Sequence, residues 1–314
     1  MNRSLAIFRQ TQYLPSFIDY WRKGFRLMRI KGRIGVWSVF SIPVVWWILV
    51  LLVPYLIMFT LSFYTRKFPF HVPDLHFGNY LTLISDPQYY IVFLRTVKIA
   101  LLVSITSLLF SFPLAYFIAR KVASKRVQLI LYVATIIPLW VSYLLRAYTW
   151  KTILGSEGVL NSFLIWVGII ETPVTFLLYN QFAMVITMSY IFMPFMVMPI
   201  YASLEKIPEN LINASKDIGG SRLTTFLHIT LPLSMPGVLA GFTFTFCMAS
   251  GDFISPVLVG GPYSNMIANV VTSQFGLAMN WPLGSAISVV LLFIVLVVIS
   301  ISDRFERTGR VSLE

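Results

Sequence analysis

Few side chains in this sequence are of types that do chemistry, and Asp252 stands out among them. It is the only carboxylate inside any of the long apolar stretches. A charge buried at membrane depth costs about 2.5–3.5 kcal/mol on insertion scales, so it is kept for a function or for a partner. Two readings stand. Asp252 lines a passage and attracts a cationic solute, or it forms a structural pair with Arg146 or Lys98. Arg146, Arg95 and Lys98 fall near the ends of apolar stretches, where long cationic side chains ordinarily snorkel to water. Tyr143, Tyr148, Trp150 and Trp281 read as aromatic-belt residues at that same outer level. Some of them could also stack on an amine by cation–π attraction. Asp252, Arg146, Tyr143 and Trp150 are thus the candidate solute contacts. His71, His76 and His228 lack metal-ligand spacing, and neither a metal nor a cofactor is expected. A Gly-x-x-x-x-Gly-Lys-Ser/Thr loop is absent, so the chain is not expected to bind ATP itself. With 12 acidic residues and no nucleophile–base set, acid–base catalysis has little material, which speaks against an enzyme.

The other informative region is polar. Residues 204–235 form an insert between two apolar stretches. Pro208 suits the first turn of a helix, where its missing N–H is no loss, and Glu209 suits the positive helix end. Leu211, Ala214, Ser215 and Ile218 recur at i, i+3, i+4 and i+7, a narrow apolar stripe. Gly219-Gly220 stops that helix, and Ser221 caps a second one. Leu223, Phe226 and Leu227 share a face of the second helix, which Pro232 and Pro236 are expected to end before the next span. The insert's six charges, Glu205, Lys206, Glu209, Lys216, Asp217 and Arg222, balance three against three. An amphipathic loop resting on the bilayer is one reading, but such loops are more often net basic. A docking element for a protein partner is the other, and the small residues Ala214, Ser215, Gly219 and Gly220 would admit its close approach.

These residues must be positioned by membrane helices. The 314 residues are 57% hydrophobic and 11% charged, with mean hydropathy +0.79; soluble domains carry about 25% charged residues. Apolar runs at 36–63, 99–119, 127–145, 182–204, 237–259 and 283–302 are long enough to cross a hydrocarbon layer, which takes about 20 helical residues. Their continuity argues for helices over barrel strands. The expected organisation is a basic tail over 1–35, one membrane domain over 36–302 and a short tail over 303–314. The lone Cys247, in the fifth run, permits no intrachain disulfide and reads as packing.

The net charge of +12 raises nucleic acid as a partner, but its distribution argues against it. Of 24 Lys and Arg residues, 18 lie in the first tail, the 120–126 turn, the insert and the last tail. The opposite loops hold only Arg66, Lys67 and Lys151. Such a bias places both termini and the insert in the cytoplasm and favours contact with anionic membrane lipid. The first 35 residues contain no apolar core of a secretory signal. There, Phe17, Trp21, Phe25 and Met28 oppose Arg22, Arg26 and Arg29, as in an interfacial helix; a disordered basic tail is the alternative. Residues 158–170 read as a helix too short to span. Residues 260–282 carry no charge, and read as re-entrant lining or a lid. Gly260-Gly261-Pro262 is expected to break the fifth helix, and Trp281-Pro282 to start the sixth.

The insert resembles the coupling signature of binding-protein-dependent ABC importer permeases: Glu-Ala-Ala, three residues, Gly, nine residues, Ile-x-Leu-Pro. Ala214, Gly219, Ile229, Leu231 and Pro232 match at the family spacing, with Asp217 in the three-residue gap. Asn213 and Ser215 stand where the signature has glutamate and the second alanine. Residues 138–151, Gly158–Asn161, Gly251–Pro256, Gly260-Gly261 and Trp281–Gly284 resemble the spermidine/putrescine-type branch, and the likeness covers most of residues 40–305. It implies an all-α membrane protein of six transmembrane helices with the type I importer permease (MetI-like) fold, in a bacterial inner membrane. It also implies a cytoplasmic ATPase dimer at the insert, a second, paralogous permease and a periplasmic solute-binding protein. Arg146 would be a gate or docking residue. The solute would be a polyamine, with an opine or an aminophosphonate as alternatives. A self-contained secondary transporter or channel is the competing reading, but no inverted repeat is visible.

Overall fold

The computed structural model describes residues 40–41, 43–67 and 70–311. The tail 1–35, and with it the expected interfacial helix or disordered segment, lies outside the described residues. Two compact units divide the chain, Met1–Ile57 and Met58–Glu314. The described part of the first is the leading portion of helix α1 (Pro43–Leu61). Its side chains are exposed and apolar, Trp46, Trp47 and Leu49 among them. This is the arrangement lipid rather than water would favour.

The second unit is helical apart from one antiparallel hairpin, Thr65–Lys67 with Phe70–Val72, in which Arg66 pairs with His71. Helix α2 (Gly78–Ser85) leads into α3 (Pro87–Lys121). Asp86 caps α3, accepting the Gln88 N–H at 2.9 Å. At 35 residues α3 starts well before the expected 99 and outreaches the hydrocarbon thickness. Arg95 therefore projects from a helix side and donates to Asn265 O at 3.4 Å, while Lys98 is exposed.

The third apolar run does not cross as one helix to 145. Helix α4 (Lys125–Trp140) ends in a tight turn containing Pro138, and the chain bends by 95° into Tyr143–Trp166. That second piece consists of α5 (Tyr143–Leu154) and α6 (Val159–Trp166). Ile137 keeps helical geometry, but Pro138 has no N–H to give the helical ladder, and the chain tightens into the Ile137–Trp140 turn although the hydropathy continues. α6 is the short helix expected within 158–170.

Helix α7 (Gln181–Glu205) is the central strut. It packs against α3 and against α9 (Arg222–Ser250), beyond the short α8 (Glu209–Asp217). α10 (Ile267–Phe275) and α11 (Trp281–Val311) complete the unit. α10 occupies the uncharged 260–282 segment. Its first N–H, that of Ile267, donates to Thr96 Oγ1 of α3 at 2.8 Å. α11 starts at Trp281 as expected but runs to Val311, so the proposed tail at 303 continues a helix.

Two apolar clusters stack along α7. One gathers Ile99, Val103, Met188, Ile191 and Phe246. The other, toward the insert, gathers Ala115, Ile118, Met196, Ile200 and Leu204. Contact is close because α9 carries glycine where it meets α7. A Cβ on Gly237 would lie 2.3 Å from Pro199 O, and one on Gly241 2.9 Å from Met196 Sδ. Small residues at such crossings let backbones approach in a membrane, where apolar burial itself gives little drive. Serines add polar ties: Ser107 Oγ donates to Ser189 O at 3.3 Å, and Ser189 Oγ to Val103 O at 3.4 Å.

Candidate functional site

The insert folds as two helices meeting at a glycine hinge. α8 ends at Asp217, and Gly219 adopts φ +83. A side chain there would meet nothing within 4 Å, so conformation alone selects glycine. At Gly220 the demand is spatial, since a Cβ would come within 2.6 Å of Ser215 O and Oγ. Ser215, the departure from the signature's second alanine, is buried and shares a 2.8 Å hydrogen bond with Thr225 Oγ1 across the hinge. Asn213, the other departure, accepts from Lys216 Nζ at 3.3 Å. Ser221 accepts the Thr224 N–H at 3.1 Å and caps the second helix.

That second helix does not stop at Pro232. It is the first turn of α9, and after a wide turn, Phe226–Thr230, the helix runs on to Ser250. The Leu231 N–H reaches back five residues to Phe226 O. The widened turn lets the following proline, which has no N–H to give, sit at a helix start instead of ending one. Ile229, Leu231 and Pro232 are consequently half-buried parts of a continuous helix. The Phe226 ring lies edge-on to Phe112 and Tyr116 of α3, both at 5.8 Å. Leu223 and Leu227 are left exposed, so the face expected to hold all three divides. Arg120, at the end of α3, donates to Ile207 O at 2.6 Å and ties the entry of the insert to that helix. Outward, the insert presents apolar side chains: Ile218 is 87% exposed and Leu223 66%. Ala214 and Asp217 are exposed beside them.

The Asp252 site is of a different kind. α9 ends at Ser250, so Asp252 is not within a span but in the break that follows it. It is 6% exposed. Its Oδ1 accepts the N–H groups of Ile254 at 2.8 Å and Ser255 at 3.2 Å, at the start of the helical turn that leads into the wide turn Pro256–Gly260. Its Oδ2 accepts the Tyr143 hydroxyl at 2.5 Å, and that hydroxyl lies 2.8 Å from Ser255 Oγ. The expected pair with Arg146 or Lys98 does not form. Arg146 stands one ring away, its guanidinium 5.8 Å from the Tyr143 centroid. It is 9% exposed, not snorkelling, and donates to Ile191 O at 3.1 Å. Its Nε is buried without a partner among the described residues. Trp150 packs on the same apolar cluster, its ring 5.4 Å from Tyr190. Of the four candidate solute contacts, Asp252, Tyr143 and Arg146 thus come together, while Trp150 joins Tyr190. Ser255 and Ile191 complete the group, and neither carries a local sequence signal.

Comparison with known proteins agrees with this architecture. The family described as "Binding-protein-dependent transport system inner membrane component" matches residues 111–308. The spermidine/putrescine transport system permease protein PotB of Escherichia coli K12 is 35% identical over 262 residues, covering 83% of this chain and 94% of that protein. The inner membrane ABC transporter permease protein YdcU of the same organism is 33% identical over 274 residues, covering 83% and 87%. A chain in the crystal structure of a bacterial ABC transporter that imports the acidic polysaccharide alginate superposes with TM-score 0.66 at 20% identity, covering 92% of this chain and 99% of that one. A chain of the inward-facing MetNI methionine ABC transporter gives TM-score 0.53 at 17% identity, covering 72% and 99%. The insert, the bundle that carries it and these matches lead to one assignment: the chain belongs to the family of inner-membrane components of binding-protein-dependent transport systems.

Proposed function

We propose that this chain is one of two permease subunits of an ATP-driven importer, with its insert and both termini in the cytoplasm. The observation that carries the coupling role is the exposed apolar edge, Ile218 and Leu223, held on a hinge that is hydrogen-bonded internally. A loop lying on lipid would need no such hinge. Leu211, Ala214 and Ile218 would seat in a cleft of a cytoplasmic ATPase. Arg120 and Phe226 would pass its movement to α3, and the unbroken α9 would carry it through the membrane to the Asp252 break.

The relatives' polyamine names support a small cationic solute, delivered by a periplasmic binding protein. Asp252 and Tyr143 would then stand at the outer mouth. With both carboxylate oxygens already engaged, a passing amine would compete with the Tyr143 hydroxyl for Oδ2. The second subunit is proposed to be a paralogue. Affinity purification of the full chain from its native membrane tests the assembly. An ATPase and a second permease should accompany it in stoichiometric amounts. Recovery of the chain alone, with uptake driven by an ion gradient in vesicles, would instead support a secondary transporter.

A further inference from the structure

A cleft of about 770 Å³ opens between the insert, the end of α3 and the start of α4. From α8 it is lined by Glu209, Ile212, Asn213 and Lys216, the face opposite Leu211, Ala214 and Ile218. It is therefore distinct from the apolar edge proposed to dock. Arg120, Lys121, Lys125, Lys216 and Arg222 all line it, against the single carboxylate of Glu209. Lys125 is paired with Glu205 at 3.6 Å, but the other four cations have no carboxylate within ion-pair distance among the described residues. Lys216 reaches only the Asn213 amide oxygen, Lys121 lies 5.9 Å from the Tyr116 ring, and Arg120 Nε is buried without a partner. Like charges gathered in one cavity repel unless an anion joins them. Guanidinium forks and ammonium groups together suit the oxygens of a phosphate.

We propose that this cleft binds the headgroup phosphate of an anionic phospholipid. The lipid source is favoured over free phosphate by what adjoins the cleft. The span α3 and the apolar helix α4 meet at the basic turn, and Phe117, Val127, Leu129 and Ile130 are exposed beside it, offering a surface for acyl chains. Basic pockets between membrane helices at this level take anionic headgroups. The site does not depend on which solute is carried. It joins Arg120 on α3 to Lys216 and Arg222 on the insert through one ligand.

The test uses the full chain in nanodiscs of phosphatidylcholine with a phosphatidylglycerol fraction, and native mass spectrometry to count retained phosphatidylglycerol. Wild type should retain it, and millimolar inorganic phosphate should not displace it. Lys216→Gln with Arg222→Gln should weaken retention about tenfold or more, the loss expected on removing charged hydrogen bonds. Both side chains are exposed, so the fold should survive, as circular dichroism would check. Asn213→Glu, which adds a carboxylate inside the cleft, should weaken retention as well. Equal retention in wild type and both variants would overturn the proposal. Displacement by inorganic phosphate would assign the cleft to a soluble anion instead. Expulsion of the lipid on adding the ATPase partner would assign it to acidic side chains of that protein.

Discussion

The insert end of α9 and the Asp252 end use the same backbone device for opposite purposes. At the first, the wide turn Phe226–Thr230 carries the chain out of the hinge; past the second, the wide turn Pro256–Gly260 follows the break. Such turns concentrate where a helix must be redirected and are frequent at functional positions. The surroundings are inverted. At the insert the polar groups of the hinge are satisfied internally and apolar Ile218 and Leu223 face outward. At the break the carboxylate is buried and accepts three hydrogen bonds. An outward apolar edge is what the proposed docking role asks of the insert, whereas the buried carboxylate, with three hydrogen bonds, ties α5 to the break. A single helix joins the two.

Substitutions can break this contrast in graded fashion. The largest effect is expected from Gly237→Leu, because the added atoms would run into Pro199 O and Ser203. Overpacking costs about 1–3 kcal/mol and more against backbone, so size-exclusion profiles should show loss of folded protein and of both ends together. Asp252→Asn keeps an oxygen for the Ile254 and Ser255 N–H groups but loses the charge. A hydrogen bond to a charged group contributes about 1.5–3 kcal/mol. Thermal stability should fall within that range, and uptake of the cationic solute should decline; unchanged uptake and solute preference would leave Asp252 a cap only. Gly219→Val forces a branched side chain into left-handed geometry at about 1–2 kcal/mol. The open space around it means the spans should survive, so the measurable loss should be in ATP-coupled uptake. Ser215→Ala should be mildest, at or below about 1 kcal/mol, a typical net hydrogen bond. Thr225 Oγ1 keeps its 3.0 Å bond to Ser221 O, and a thermal melt of the chain measures the difference.

The hinge was legible because its signals are local: Pro208, Gly219, Ser221 and the stripe through Leu211 act within a few residues of themselves. The spans were legible by hydropathy, but their breaks were not. Continuous apolar character through 127–145 hid the turn at Pro138, and the run 237–259 hid the end of α9 at Ser250. Pro232 misled in the other direction, since a wide turn accommodates a proline that a regular helix would reject. The remaining features are contacts between distant segments. Arg120 with Ile207 O, Ser215 with Thr225 and Tyr143 with Asp252 depend on packing that no local pattern encodes.

Ile218→Asp tests the external role of the insert most directly. Ile218 is 87% exposed, so the variant should fold as wild type does. In proteoliposomes holding the complete transporter, with ATP hydrolysis and solute uptake measured together, uptake should fall by about tenfold or more, since an exposed apolar anchor is replaced by a charge at an interface core. Hydrolysis should no longer respond to the loaded binding protein. Wild-type uptake, with hydrolysis still stimulated, would contradict the docking role of the insert.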